Sequence, residues 1–95
     1  QKMRVKRYQR DALDGVLTEL TGFYRDVLAT QTAPSADIIN ADMADQVQAV
    51  AGRSTPEQTI HALDAILVAR TALEGNVAPL LAFEALMVEL VEARR

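Results

Sequence analysis

The spacing of apolar residues predicts helices along the whole chain. In the first third, apolar side chains recur every three or four positions, which is the period of an amphipathic helix. The polar residues before them continue the same pattern, and Pro34 disfavours helix in the residue before it. We therefore predict a first helix over about residues 2–31. Its inward side chains are Leu13, Val16, Leu17, Leu20, Phe23, Tyr24, Val27 and Leu28.

A second, shorter helix is predicted over residues 41–51. Asn40 is a suitable N-cap because its side chain can accept a hydrogen bond from a free backbone amide. Gly52 is a natural residue to end the helix. Met43, Val47 and Val50 should face inward.

The segment Ser54–Gln58, "STPEQ", is a strong signal for the start of a third helix. Thr55 as N-cap, Pro56 in the first helical position and Gln58 three residues after the cap make a capping box. We predict helix over 56–74, ended by Gly75, with Arg70 outward. The inward side chains should be Ile60, Leu63, Ile66, Leu67 and Leu73.

A fourth helix is predicted over residues 78–93. Asn76 and Pro79 mark its start, since both residues are common where a helix begins. An apolar stripe with helical spacing follows them. Its members are Leu80, Phe83, Leu86, Met87, Leu90 and Val91.

No segment alternates with period two for long enough to form a strand, so we predict an all-α fold, a compact bundle of four to five helices. The chain has 95 residues and suits a single domain over 1–95. Only four residues are aromatic, which favours packing through small and aliphatic side chains. Gly15 and Gly22, inside the first helix, would suit close approach of another backbone. Because the chain begins at Gln1 with a pattern typical of the middle of a helix, we expect it to be a piece of a longer protein.

The composition excludes several kinds of site. Without cysteine there are neither disulfides nor thiolate metal sites. No apolar run approaches the length of a membrane span, and no signal peptide opens the chain. The scattered glycines form no phosphate-binding loop, so we expect no bound nucleotide and no other cofactor.

Positive charge is concentrated at the start of the chain, although the net charge is −3. Five bases and no acids occur in the first ten residues, and they are called the basic arm below. This arm could contact nucleic acid or an acidic partner, or it could be a solvated helix face or a connector between domains. The basic arm comprises Lys2, Arg4, Lys6, Arg7 and Arg10.

A cluster of acids and one asparagine after the first helix is a candidate metal site. Asp37, Asn40, Asp42 and Asp45 lack the spacing, the turn glycine and the distal glutamate of a calcium loop. Helix capping and the helix dipole explain Asn40 and Asp42. We therefore predict that these residues bind no metal.

His61 is the single histidine in the chain, so a zinc site is nearly excluded, and a catalytic triad would need partners that the sequence does not single out. Its spacing from Asp64 favours a surface pair on one helix. No catalytic residue is predicted. The segment "ALDAILVA" in the third helix is apolar on nearly all sides, which is typical of a helix in the core or of one that also faces another chain.

The order of these signals resembles the C-terminal domain of bacterial clamp-loader subunits, which include the delta-prime and gamma/tau subunits of DNA polymerase III. The resemblance covers nearly the whole chain, and Ala78 departs from it, since relatives often have a capping asparagine there. "FYRDVL" followed by "INAD" is most similar to delta-prime, particularly from high-GC Gram-positive (actinobacterial) sources. The matching segments are "RDALDGVLTELTGFYRDVL", "IINAD" and "STPEQTIHALDAILVARTALEGNVAPLLAFEALMVEL".

This resemblance implies a non-catalytic collar domain, through which five subunits join in a ring. The implied partners are the gamma/tau and delta subunits, while the sliding clamp and primed DNA are reached only through the full assembly. The implied location is the bacterial cytoplasm, with no membrane contact and no small-molecule substrate. A gamma/tau collar, or a helical nucleic-acid-binding module that uses the basic arm, are the alternatives. If the domain is a collar, helices 3 and 4 should expose apolar side chains to partners, and Val68 and Met87 are our candidates.

Overall fold

The computed structural model describes residues 2–33 and 41–94. All regular structure in these ranges is helical, which confirms the predicted all-α class. None of the described helices is both long enough and apolar enough to cross a membrane. The elements are α1 (Lys2–Thr32), a 3₁₀ turn (Ala41–Met43), α2 (Ala44–Arg53), α3 (Pro56–Glu74) and α4 (Pro79–Ala93).

Helix α3 lies at the centre of the bundle, where it packs against both α1 and α4, while α2 packs against α1. Several of the core residues are alanines, whose small side chains allow helix axes to approach closely. Large side chains fill the core where α1, α3 and α4 meet, and Val27 of α1 and Val47 of α2 are also fully buried. The core comprises Leu17, Ala65, Ile66, Ala69, Leu73, Ala82 and Leu86.

The predicted inward face of α3 is wrong at two positions. Ile60 and Leu67 are 54% and 62% exposed. The prediction selected the largest apolar residues, but the buried side of the helix is mainly the alanine side. Because α3 is apolar on nearly every side, its hydrophobic pattern does not define one inward face. The buried residues of α3 are Thr59, Ala62, Ala65, Ile66, Ala69 and Leu73.

Residues predicted to face inward are also exposed on α4, and one such residue occurs on α1 and one just before α2. Leu80, Met87 and Val91 of α4 are 56%, 36% and 54% exposed. Val16 of α1 and Met43 before α2 are also exposed rather than inward. On α4, as on α3, alanines occupy much of the contact side and turn the larger side chains outward. The buried residues of α4 are Pro79, Ala82, Leu86 and Ala93.

Helix boundaries differ from the predictions mainly at α2. Its α-helical part begins at Ala44, after the 3₁₀ turn, instead of at residue 41, and Met43 in the N-cap position makes no side-chain cap. The helix continues through Gly52 to Arg53 and ends at Ser54 in an extended conformation, so Gly52 is not the stop. Asn40 lies outside the described residues. Helix α1 ends one residue later than predicted, and α4 begins one residue later.

Gly15 does not mark a close approach of another backbone, contrary to the sequence prediction. A Cβ atom placed there would meet no neighbouring atom within 4 Å. The residue is exposed on α1. The corresponding expectation for Gly22 stays a prediction.

The capping box at the start of α3 is confirmed. The Thr55 hydroxyl accepts a hydrogen bond from the Gln58 backbone N–H at 3.1 Å, and Thr55 N–H donates to Gln58 Oε1 at 2.8 Å. Pro56 occupies the first turn, and Gly75 is the C-cap, as predicted. Together these local signals define both ends of α3.

Replacing Thr55 with alanine should destabilise the fold by about 1 kcal/mol, because the first turn of α3 loses its hydroxyl acceptor. Urea unfolding followed by circular dichroism measures this change. Thr71→Ala is the matched control, since the Thr71 hydroxyl donates to the Leu67 carbonyl of its own helix. It should be neutral or slightly stabilising, because alanine has the higher helix propensity. Equal losses in the two variants would contradict the capping argument.

A polar junction that the sequence did not reveal ties the end of α1 to the turn between α2 and α3. Gln31 Nε2 donates to the Ser54 carbonyl at 3.0 Å and to the Ser54 hydroxyl at 3.1 Å. The buried Thr59 hydroxyl donates to Gln31 Oε1 at 2.8 Å. The junction satisfies polar groups that would otherwise be costly to bury.

Arg70 is not the outward residue that the sequence predicted. It is half-buried and crosses to α1, where its Nη2 donates to the Thr18 hydroxyl at 2.7 Å. Its Nε lies 3.4 Å from Asp14 Oδ1. Arg70 therefore fixes the contact between α3 and α1 instead of facing solvent alone.

Candidate functional site

An apolar groove of about 570 Å³ lies between α3 and α4 and is called the α3–α4 groove below. It is lined by alanines from both helices together with Leu86. Branched aliphatic side chains line it as well, and three of them are more exposed than buried. These are Val68, Leu81 and Val88, which are 61%, 59% and 60% exposed.

The groove follows from the alanine packing of the two helices. Small residues at the contact bring α3 and α4 close together, so the aliphatic side chains outside the contact remain in water. Val77, in the turn between the helices, is 37% exposed and also lines the groove. A contiguous apolar surface on so small a chain is typical of a protein-interaction site.

Charged residues also line the groove. His61 Nε2 lies 3.0 Å from Glu89 Oε2, which links α3 to α4. The sequence predicted that His61 would pair with Asp64 on its own helix, and this is wrong, although Asp64 also lines the groove. Both His61 and Glu89 are about half exposed, so their pair contributes little to stability.

The two candidate interface residues lie on different surfaces. Val68 lines the α3–α4 groove, whereas Met87 does not. Met87 is 36% exposed and shares a helical face with Leu80 and Val91, seven positions before it and four after it. We call these three residues the outer stripe of α4. The exposure predicted for Val68 and Met87 is observed, and their role in an interface stays a prediction.

The basic arm forms the first turns of α1. Arg4 and Arg7 are exposed, and Arg10 is half-buried, with no hydrogen-bond partner for its Nε among the described residues. Lys2 and Lys6 belong to α1, but their side chains lie outside the described part of the structure. None of the three arginines lines the α3–α4 groove, so the described part of the arm and the groove are separate features.

The basic arm should bind DNA weakly and without sequence preference. Five positive charges displace only a few counterions, so binding should be weak. Because counterion release drives it, the affinity should fall steeply as salt rises. Fluorescence anisotropy with two unrelated duplexes at 50 and 200 mM salt tests this expectation. Replacing Arg4 and Arg7 with glutamine should remove most of the binding. Sequence-selective binding that persists at physiological salt would contradict it and favour a nucleic-acid-binding module.

Two of the four residues of the candidate metal site, Asp42 and Asp45, belong to the described part of the chain. Asp42 and Asp45 are exposed, and Asp45 lies in the first turn of α2, where the helix dipole favours negative charge. Asp37 and Asn40 lie outside the described residues. Within residues 2–33 and 41–94, no group of three or more acids and histidine could hold a metal ion. That the acids bind no metal stays a prediction.

The chain matches a known family over most of its length. The family model described as "DNA polymerase III, delta subunit, C terminal" matches residues 5–92. Comparison with curated proteins and with solved structures gave no match. The matched range includes all of α2 and α3 and nearly all of α4, and therefore both the α3–α4 groove and the outer stripe of α4.

Proposed function

The chain belongs to the family of C-terminal domains of the DNA polymerase III delta subunit, and on this basis we propose that it is a collar domain. In this role it holds the members of the clamp loader together in a ring and catalyses no reaction itself. The full assembly loads the sliding clamp on primed DNA during replication. The chain would meet the clamp and DNA through that assembly, in the bacterial cytoplasm.

The observation that carries this proposal is the exposed apolar surface of α3 and α4. Leu81 and Val88 beside the groove, and Leu80 and Val91 on the outer stripe, are all more than half exposed. Each member of a ring meets its two neighbours through two different surfaces. The α3–α4 groove and the outer stripe of α4 provide two such surfaces on one domain.

Delta-prime is the subunit that we propose, since "FYRDVL" at Phe23–Leu28 followed by "INAD" at Ile39–Asp42 is most similar to it. The matched family is described by the delta subunit, which favours delta as the second candidate. Gamma/tau is the third. In each case we propose that the chain is the C-terminal domain of a longer subunit, in agreement with the wording of the matched family.

Mixing the chain with collar domains of the other subunits from the same organism tests the proposal. Size-exclusion chromatography with light scattering should show a monomer or weak dimer alone. A stable complex should form with the gamma/tau and delta collars. Failure to bind any clamp-loader collar would refute the proposed function. A complex that forms with delta-prime but not with delta would identify the chain as delta.

A further inference from the structure

A second, smaller pocket of about 190 Å³ lies where the end of α2, the start of α3 and the end of α4 meet α1. It shares no lining residue with the α3–α4 groove among the described residues. Part of its wall is apolar and part is polar. The apolar part comprises Val50, Ala62, Leu90 and Ala93, together with the ring of Tyr24.

Within residues 2–33 and 41–94, the charged residues that line this pocket are all positive. They are Arg53, at the end of α2, and Arg94, just after α4. After Arg10 the chain has thirteen acids and only five bases. Two arginines around one pocket therefore form a positively charged site in a mostly acidic part of the chain. Neither arginine side chain makes an ion pair or a hydrogen bond with the described residues. Their guanidinium groups are therefore available to a ligand.

A further donor is held by the capping box. Gln58 lines the pocket, and its Oε1 accepts the Thr55 N–H at 2.8 Å. This bond fixes the orientation of the amide and leaves Nε2 as a donor with no partner in the described residues. The Ser54 and Thr59 hydroxyls also line the pocket, but they donate to Val50 and Gln31 inside the protein.

We propose that this pocket binds an oxyanion carried on a short apolar stem, which is the chemistry of a carboxylate in a partner peptide. Two guanidinium groups and an amide can satisfy the oxygens of a carboxylate, and arginine can bind it through two parallel hydrogen bonds. The apolar wall needs a matching apolar part of the ligand. An acidic side chain or a chain terminus has such a stem, and inorganic phosphate does not. The site is independent of the surfaces proposed for collar assembly.

Titration with small probes tests the ligand class. Sodium butyrate carries a carboxylate on an apolar stem, butyramide is its neutral counterpart, and inorganic phosphate is an oxyanion without a stem. In NMR spectra of the ¹⁵N-labelled chain at constant ionic strength, butyrate should give saturable shifts at Arg53, Gln58 and Arg94. Half-saturation should be on the order of millimolar, because the ligand is small. Equal shifts with butyramide, or saturation by phosphate alone, would overturn the proposal.

Gln58→Glu separates binding from folding. Glutamate is a standard third residue of a capping box and is favoured in the first turn of a helix, so the fold should be kept. The same substitution removes the amide donor and adds a negative charge to the pocket. Butyrate affinity should fall at least about tenfold, because a carboxylate then faces a like charge, while thermal unfolding shows an intact domain. Unchanged affinity in the folded variant would contradict the role of Gln58.

Replacing the arginines provides the second comparison. Arg53→Gln and Arg94→Gln should each weaken butyrate binding several-fold, and the double variant should abolish saturation. Arg25→Gln is the matched control, since Arg25 is exposed on α1 and does not line the pocket. It should leave the affinity nearly unchanged. Unchanged binding in the folded double variant would show that the pocket is not the site.

Discussion

Replacing Ile66 with alanine should destabilise the fold by about 2–5 kcal/mol, the usual cost of truncating a large buried side chain. Ile66 is 2% exposed and belongs to the core with Leu17 and Leu86. Truncation would leave a cavity on the central helix, so α1, α3 and α4 would all lose packing contacts. Urea unfolding monitored by circular dichroism measures the loss.

Leu67→Ala is the matched control, one residue further along the same helix. Leu67 is 62% exposed, so its truncation should change stability by roughly 0.5 kcal/mol or less. The sequence pattern places Leu67 among the inward residues, and on that basis a large loss would be expected there. A large loss at Leu67 with a small loss at Ile66 would mean that α3 is rotated by about 100° from the observed orientation.

The features that sequence predicted best depend on a few neighbouring residues. Thr55, Pro56 and Gln58 define the start of α3 through hydrogen bonds within a single turn. Gly75 marks its end in the same local way. Such signals need no knowledge of the rest of the fold, so they can be read directly from sequence.

The orientation of α3 and α4 could not be predicted in this way. Both helices have apolar residues around most of their circumference, and their contact uses alanine in preference to leucine or valine. Hydrophobicity alone ranks Leu67 above Ala69, although Ala69 is 5% exposed and Leu67 is not buried. The decisive factor is how closely two helices can approach, which depends on the pairing of their faces.

Side-chain pairs between different helices were not predicted either, because spacing along one helix does not reveal partners on another. His61 pairs with Glu89 and Arg70 reaches Asp14, each across a helix interface. Spacing along one helix suggests only partners three or four residues away. In the candidate site, the exposure of Val68 was predicted, but Leu81 and Val88 were not identified. Their positions on one helical face, offset from the predicted stripe of α4, were a usable signal for a second apolar face.

Assembly should be most sensitive to charge in the α3–α4 groove. The double variant Val68→Asp with Leu81→Asp would place two carboxylates in a surface that a partner must desolvate, beside Asp64 and Glu89. If the groove is an interface in the ring, we expect affinity for one neighbouring collar to fall by at least about 30-fold, corresponding to about 2 kcal/mol at a central interface position. Isothermal titration calorimetry with each purified collar measures the loss.

The double variant should keep its fold, because both side chains are more than half exposed. Leu81 also lies in the first turn of α4, where aspartate is favoured by the helix dipole. Val16→Asp is the control, since Val16 is 41% exposed on α1 and lines neither the groove nor the outer stripe. It should leave both partner affinities unchanged.

Met87→Asp extends the test to the outer stripe of α4. If the domain meets its two neighbours through different surfaces, this variant should weaken binding to the neighbour that the groove variant leaves unaffected. Loss of the same partner in both variants would place the two surfaces in one interface. Normal binding of both partners by both variants would show that the ring contacts lie elsewhere on the domain, and the proposed role of the exposed apolar surface would then be wrong.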